Sequence, residues 1–317
     1  MGIITGRLAI FAILISFISQ PVMAGPLRDL IMQYRAKHKS NESLINTDSL
    51  YKQVSIPQGV KLLSDIHYGS DSKHRMDVYV PDNANNAPVI FMVHGGAWTM
   101  GDKIHGPVVE NKVARWLPQG FIFISINYRL SSVNPLQQAD DVIQALTTAQ
   151  KQVASWGGDP EKFILMGHSA GAHLVALLAA DPSRALKAGA KPWLGTILLD
   201  SAALDVPKIM ENRHFPFYDR TFGKDTTFWQ STSPFHVLSA SAFPILAICS
   251  TRRDDSCSQA KTFIEKATSL GIHAKLLAQD LSHGEINKNL GTPCDYTQSV
   301  EEFMKSLAPA VMDALKK

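Results

Sequence analysis

Cysteine is scarce in this chain: three in 317 residues, Cys249, Cys257 and Cys294. Their spacings do not resemble the paired ligands of a zinc site, so no metal is expected. Charge of one sign is also missing. Lys+Arg number 31 against 28 Asp+Glu, a formal +3. No Lys/Arg cluster and no basic–aromatic interleaving accompanies that balance, which argues against a nucleic-acid partner. There are no internal repeats, low-complexity tracts or internal linkers. No apolar run is long enough to span a bilayer comfortably; the N-terminal one covers only residues 8–18. What is present is ordinary for a globular protein: 45% hydrophobic and 19% charged residues. The length suits one large α/β domain with a sizeable core.

Residues 1–24 have the layout of a secretory signal peptide: Arg7, the apolar run 8–18, then Val22-Met23-Ala24 as a small-x-small cleavage site before Gly25. An uncleaved anchor is the alternative. No lipobox cysteine follows the run, which argues against a lipoprotein. The expectation is a periplasmic or secreted protein with no stable membrane association after cleavage. Residues 25–54 are polar with helix-spaced Leu27, Leu30, Ile31 and Tyr34, and form a lead-in to a domain over 55–317. In an oxidising compartment Cys249 and Cys257 are the natural pair, leaving Cys294 over. Three buried thiols are the competing reading.

Along the domain, apolar strand-like runs at 61–69, 74–80, 88–93, 121–126, 163–166, 195–200, 243–248 and 274–278 alternate with helical spacing at 137–154, 173–180, 258–270 and 297–315. The first two runs flank Lys73-His74-Arg75 and read as an antiparallel hairpin. The others read as buried parallel strands, so a mostly parallel sheet with helices on both faces is predicted. Residues 202–236 interrupt the rhythm. They carry Phe215, Phe217, Tyr218, Phe222, Phe228, Trp229 and Phe235 without a clear strand. An insertion there lies above the carboxyl ends of the strands, where such sheets bind ligands, and reads as a lid or pocket segment, or else as a packed loop.

The rest is organised around Gly167-His168-Ser169-Ala170-Gly171, between an apolar strand and an Ala/Leu-rich helix. A serine at the tip of a sharp strand-to-helix turn projects its hydroxyl from the sheet edge, and glycines on either side remove the Cβ atoms that would collide. The Ala170 N–H at the helix start points to an oxyanion formed beside Ser169. His94-Gly95-Gly96-Ala97-Trp98 follows a core strand, and its Gly95 and Gly96 N–H groups are the other expected donors. The base of an acyl-transfer site should come late in the chain, after the last strand, and His283 does. His273, His214, His236 and His168 are less well placed. The acid should follow the strand at 243–248, where Asp254 and Asp255 are adjacent. Asp254 is nearer the strand and Asp255 is tied more closely to Cys257. Asp255 is preferred, although spacing does not decide between them.

With these motifs, and with Asn127-Tyr128-Arg129 and Gly157-Gly158-Asp159-Pro160, the chain resembles the α/β-hydrolase superfamily over residues 55–310. The likeness is to carboxylesterases and arylformamidase-like enzymes in particular. The resemblance implies an eight-stranded sheet and cofactor-free hydrolysis of small-molecule carboxylic esters, with Ser169 as nucleophile and His283 as base. Two departures stand out: Arg252-Arg253-Asp254-Asp255 is unlike the usual Gly-x-x-Asp acid turn, and Ala97 stands where H-G-G-G would carry glycine. Hydrolysis of an arylformamide or other amide uses the same machinery, and a catalytically silent binding protein of this fold is the reading from another class.

Overall fold

A computed structural model describes residues 56–316 apart from Ala202, all within one unit spanning Ser40–Lys317. The expected signal peptide and lead-in lie outside the described residues. Eight strands form one sheet in the order β1-β2-β4-β3-β5-β6-β7-β8. They are β1 (Val60–His67), β2 (Arg75–Pro81), β3 (Ala87–Val93), β4 (Ile122–Ile126), β5 (Gly158–His168), β6 (Gly195–Leu199), β7 (Ile245–Ser250) and β8 (Ala274–Gln279). β1 pairs antiparallel with β2, β2 antiparallel with β4, and every other neighbouring pair is parallel.

The parallel strands read as continuous apolar runs because both faces are covered. In β3, Val89, Phe91 and Val93 enter the core on one face, while Ile90 and Met92 enter the core on the other. The period of two thus splits one strand between two cores. The first face is packed by α2 (Pro135–Gln152), α3 (Ala170–Ala180) and α9 (Ser256–Ser269). The second is packed by α1 (Gly106–Trp116), α11 (Asp295–Leu307) and α12 (Pro309–Ala314). A short α4 (Ser183–Lys187) follows α3.

α2 begins where its sequence says it should. Asn134 caps it, Gln137 completes a capping box, and Pro135 sits in the first turn, where its missing N–H is harmless. The single helix expected at 297–315 is two. Ala308 is extended at φ −162 and ψ 147, because Pro309 excludes α geometry from the residue before it. α1 is not marked by any pattern noted above. The stretch between β6 and β7 is an insertion of short helices: α5 (Val206–Met210), α6 (Pro216–Phe222), α7 (Thr226–Ser231) and α8 (Pro234–Val237).

α3 starts hard against β3. A Cβ on Gly171 would sit 2.2 Å from the Val93 carbonyl oxygen and 2.5 Å from that of His94. Both are backbone atoms of a central strand and its end, with no freedom to yield. Gly171→Ala is therefore expected to cost about 2 kcal/mol or more of stability through overpacking, read as a lower urea midpoint at unchanged slope.

Candidate active site

Register brings the ends of the central strands together. His168 on β5 pairs with Leu199 on β6, and Val93 on β3 pairs with Gly167 on β5. The residues one step beyond, His94, Ser169 and Asp200, therefore line up along the carboxyl edge of the sheet. Ser169 is the only residue between β5 and α3 and has φ 55 and ψ −117. An L-residue there carries strain of about 1–3 kcal/mol. The turn is held by its backbone: Ser169 N–H donates to Leu199 O at 2.9 Å, and His173 N–H donates to Ser169 O at 3.1 Å. Ala170 opens α3, so its N–H is among those a helix leaves unpaired.

The segment after β3 presses on this turn. A Cβ on Gly95 would lie 2.9 Å from Ser169 Cβ and 2.8 Å from the His168 carbonyl oxygen, so only glycine lets the two backbones meet. Gly96, Ala97 and Trp98 then take positive φ of 124, 50 and 59. Of the neighbouring motif residues Tyr128 holds this bend directly, while Asn127 and Arg129 fix the segments beside it. Tyr128 OH donates to His94 O at 3.0 Å and its ring stacks on His94 at 4.5 Å. Asn127 Oδ1 accepts from Lys103 N–H at 2.7 Å, and its amide donates to Asp102 at 3.1 Å. Arg129 pairs with the buried Asp141 at 2.6 Å. Trp98 Nε1 donates to His173 Nδ1 at 3.1 Å, and His173 Nε2 donates to Thr232 O at 2.8 Å. Burial pushes His173 down to about 4, which keeps it neutral and able to serve both roles. The insertion packs on the same tryptophan: Phe222, Tyr218 and Phe217 lie 5.1, 6.0 and 6.4 Å from Trp98.

His283 begins α10 (His283–Asn289), which Ser282 caps through a box with Glu285. Its Nδ1 donates to Asp200 Oδ2 at 2.6 Å. This corrects the expected acid. Asp254 and Asp255 do not hold His283. Asp255 is half-exposed and lies 3.8 Å from Arg253 Nη2. The loop after β7 presents Arg253 to the site instead, and the carboxylate comes from the end of β6, where Asp200 turns in at φ 55. Asp200 is fully buried. Its Oδ1 accepts from Ser250 N–H at 2.8 Å and from the Ser256 hydroxyl, and its Oδ2 also accepts from Arg253 Nη1 at 2.8 Å. Burial alone would raise its pKa. The His283 hydrogen bond, the Arg253 charge and the Ser256 bond outweigh it and hold the carboxyl far below the usual range. His283 is held below its ordinary value by burial first and the Arg253 cation second, against the pull of Asp200.

Two supports were not visible in the sequence patterns. The His168 ring lies tilted against that of His283 with centroids 4.5 Å apart, and its Nε2 donates to His283 O at 3.0 Å. Lys112 on α1 is wholly buried and donates to Asn287 O at 2.6 Å, Asn287 Oδ1 at 3.0 Å and Pro107 O at 2.9 Å. It ties α10 down, and burial pushes its amine to about 7. The Cys249–Cys257 pair is a disulfide with Cα atoms 5.0 Å apart, and Cys294 is free. The bridge joins β7 to the first turn of α9 and brackets the Arg253 loop. Among the described residues no His/Cys/Asp/Glu group is arranged to hold a metal.

The BD-FAE family model matches residues 76–193. An isoprenylcysteine α-carbonyl methylesterase of Arabidopsis thaliana is 25% identical over 67% of this chain and 54% of its own length. The esterase LipQ of Mycobacterium tuberculosis is 38% identical over 37% of this chain and 28% of its own. The matched segments thus span less than two thirds of these relatives. Among solved structures, a truncated carbohydrate esterase from gut microbiota superposes with TM-score 0.67 at 18% identity, covering 80% of this chain and 99% of that one. Esterase B of Lactobacillus rhamnosis gives TM-score 0.65 at 18% identity, covering 90% and 95%. Topology and superposition give the chain the α/β-hydrolase fold. The sequence matches, each over only part of the relative's length, are to esterases.

Asp200→Asn removes the charge and the acceptor-only character that fix the His283 tautomer, and is expected to lower kcat on the order of 10⁴-fold. Asp254→Asn and Asp255→Asn should each cost about tenfold or less, as surface charges do. Kinetics of the three variants on one ester at saturating substrate check the ranking.

Proposed function

We propose that the chain is a serine hydrolase that cleaves carboxylic esters through an acyl-enzyme on Ser169. The observation carrying this reading is the fully buried Asp200–His283 contact of 2.6 Å, one strand away from a serine at φ 55. An ionised carboxylate is acceptor-only, so it keeps hydrogen on Nδ1 and leaves Nε2 as the base. Ser169 gives its proton to His283 and attacks the acyl carbon. The negative oxygen of the tetrahedral intermediate is met by backbone N–H groups of Ala170 and of Gly95 or Gly96, each contributing about 3 kcal/mol. His283 returns the proton to the leaving alcohol, and water then repeats the sequence to free the acid. The carbonyl substrate takes position between the Gly95 turn and the elbow, with the aromatic insertion around Trp98 as one wall of the pocket.

The reading includes export, supported by the run at residues 8–18 and Val22-Met23-Ala24. Mature protein from its host should begin at Gly25 or within a residue or two of it, as N-terminal sequencing would read. Retention of Met1 would count against it.

Ser169→Ala should lower kcat about 10⁵-fold or more while leaving the fold intact. A fluorophosphonate probe should label the wild type at Ser169 and leave the variant unlabelled; a protein that only binds ligands would take no label. p-Nitrophenyl esters of increasing chain length, run beside N-formyl aromatic amines, decide ester against formamide.

A further inference from the structure

The esterase reading uses Ser169, His283, Asp200 and the oxyanion donors. It leaves a buried cation unexplained. The Arg253 side chain is only 9% exposed, yet it stands in the middle of the site. Nη1 lies 2.8 Å from Asp200 Oδ2, 3.2 Å from Asp200 O and 3.0 Å from His283 Nδ1. We propose that Arg253 is a positioning residue that shares the Asp200 carboxylate with His283 and so keeps His283 unprotonated, and able to act as base, in mildly acidic solution.

Hydrogen atoms fix the tautomer of His283. Asp200 Oδ2 accepts from both His283 at 2.6 Å and Arg253 at 2.8 Å. Were Nδ1 to accept from Arg253, Nε2 would carry the hydrogen and could not receive the serine proton. The carboxylate has no hydrogen to give, so Nδ1 must supply one, and the Nη1 hydrogens go to the two Asp200 oxygens. Arg253 thus finds its acceptors without disturbing the productive tautomer.

Charge acts on the same ring. A guanidinium does not deprotonate. It places a permanent cation 3.0 Å from the nitrogen that would share imidazolium charge, and it draws part of the Asp200 field to itself. The other groups around the ring do less. His168 on β5 packs its ring at a tilt against His283 and is kept neutral by burial and by that neighbour. Lys112 on α1 acts on His168. Tyr218 on α6 faces Arg253 as a neutral phenol, its ionisation suppressed by burial. Asp255 lies 3.8 Å from Nη2 and opposes the cation, but it is half-exposed and screened. The Cys249–Cys257 bridge and the Ser256 bond to Asp200 confine the loop that carries Arg253. The cation is therefore delivered by a clamped segment rather than by a loose side chain.

The inference rests on the esterase reading for its kinetic consequence alone. The test is NMR titration of His283 in isotope-labelled protein, read without substrate, beside the pH dependence of kcat/KM on a p-nitrophenyl ester. Arg253→Met should raise the His283 midpoint, and the acid limb of kcat/KM with it, by about one pH unit. Arg253→Lys should restore most of the wild-type midpoint. Asp255→Asn should move it the other way, by less. A packing role alone would lower activity without moving the midpoint, and an unmoved His283 in folded Arg253→Met overturns the proposal. Should Arg253→Met not fold, Arg253→Gln decides in its place: a raised midpoint supports the cation's role, and an unmoved or lowered one overturns it. Absence of ester turnover would sink the esterase reading and leave the titration result standing.

Discussion

One buried carboxylate ties the head of the sheet together. Asp200 has no solvent exposure and would be costly to hold as a bare charge. Its stability as an anion is shared by four side-chain or backbone donors on two separate pieces of chain: residues 250–256, through Ser250, Arg253 and Ser256, and α10, through His283. Neither of these segments is a neighbour of Asp200 in sequence. Each supplies a donor because the charge must be met wherever the register places it. Removing one partner leaves the others facing an under-satisfied ion, a situation that costs several kcal/mol when groups are fully desolvated. The same contacts that make the anion tolerable set the ring of His283, so folding and chemical readiness depend on one set of bonds.

The opposite wall of the site obeys a different constraint, that of closest approach. Gly171 lets α3 touch the backbone of β3, and Gly95 lets the next turn touch Ser169. Neither contact needs a charge. Both need an absent side chain, and the sheet fixes the spacing because β3 and β5 are hydrogen-bonded neighbours from Val89/Phe163 to Val93/Gly167. Donors on this wall are backbone groups and so are placed as accurately as the strands themselves.

That contrast explains what could be read in advance. The Gly95 turn and the Ser169 turn are local, and steric demands over a few residues leave a written trace in Gly95-Gly96 and Gly167-x-Ser169-x-Gly171. The strands and the long helices other than α1 were legible for the same reason, since apolar period and run length are local properties. The Cys249–Cys257 pairing was suggested by separation alone. The acid was not legible. A carboxylate that closes an apolar strand, as Asp200 closes β6, looks the same whether it faces water or His283, and the pairing spans 83 residues. The one available hint was a charged residue ending a wholly buried strand. Arg253 was hidden by its own neighbours, because a run of two arginines and two aspartates reads as a solvated loop. His168 and Lys112 escaped because their partners are backbone carbonyls more than a hundred residues away.

The chain of bonds from Trp98 through His173 to Thr232 bears on how a substrate would be told from its analogues. The insertion between β6 and β7 is fastened to the turn that carries Gly95 and Gly96 by buried hydrogen bonds of 3.1 and 2.8 Å and by the rings of Phe217, Tyr218 and Phe222. Swinging it away would strand an indole N–H and an imidazole nitrogen in an apolar setting, at about 1–3 kcal/mol for each unpaired group. The wall is therefore formed when the chain folds rather than when a ligand arrives. A ligand reaching the turn that carries Gly95 would meet these helices already in place, with no binding energy diverted into closing them over it.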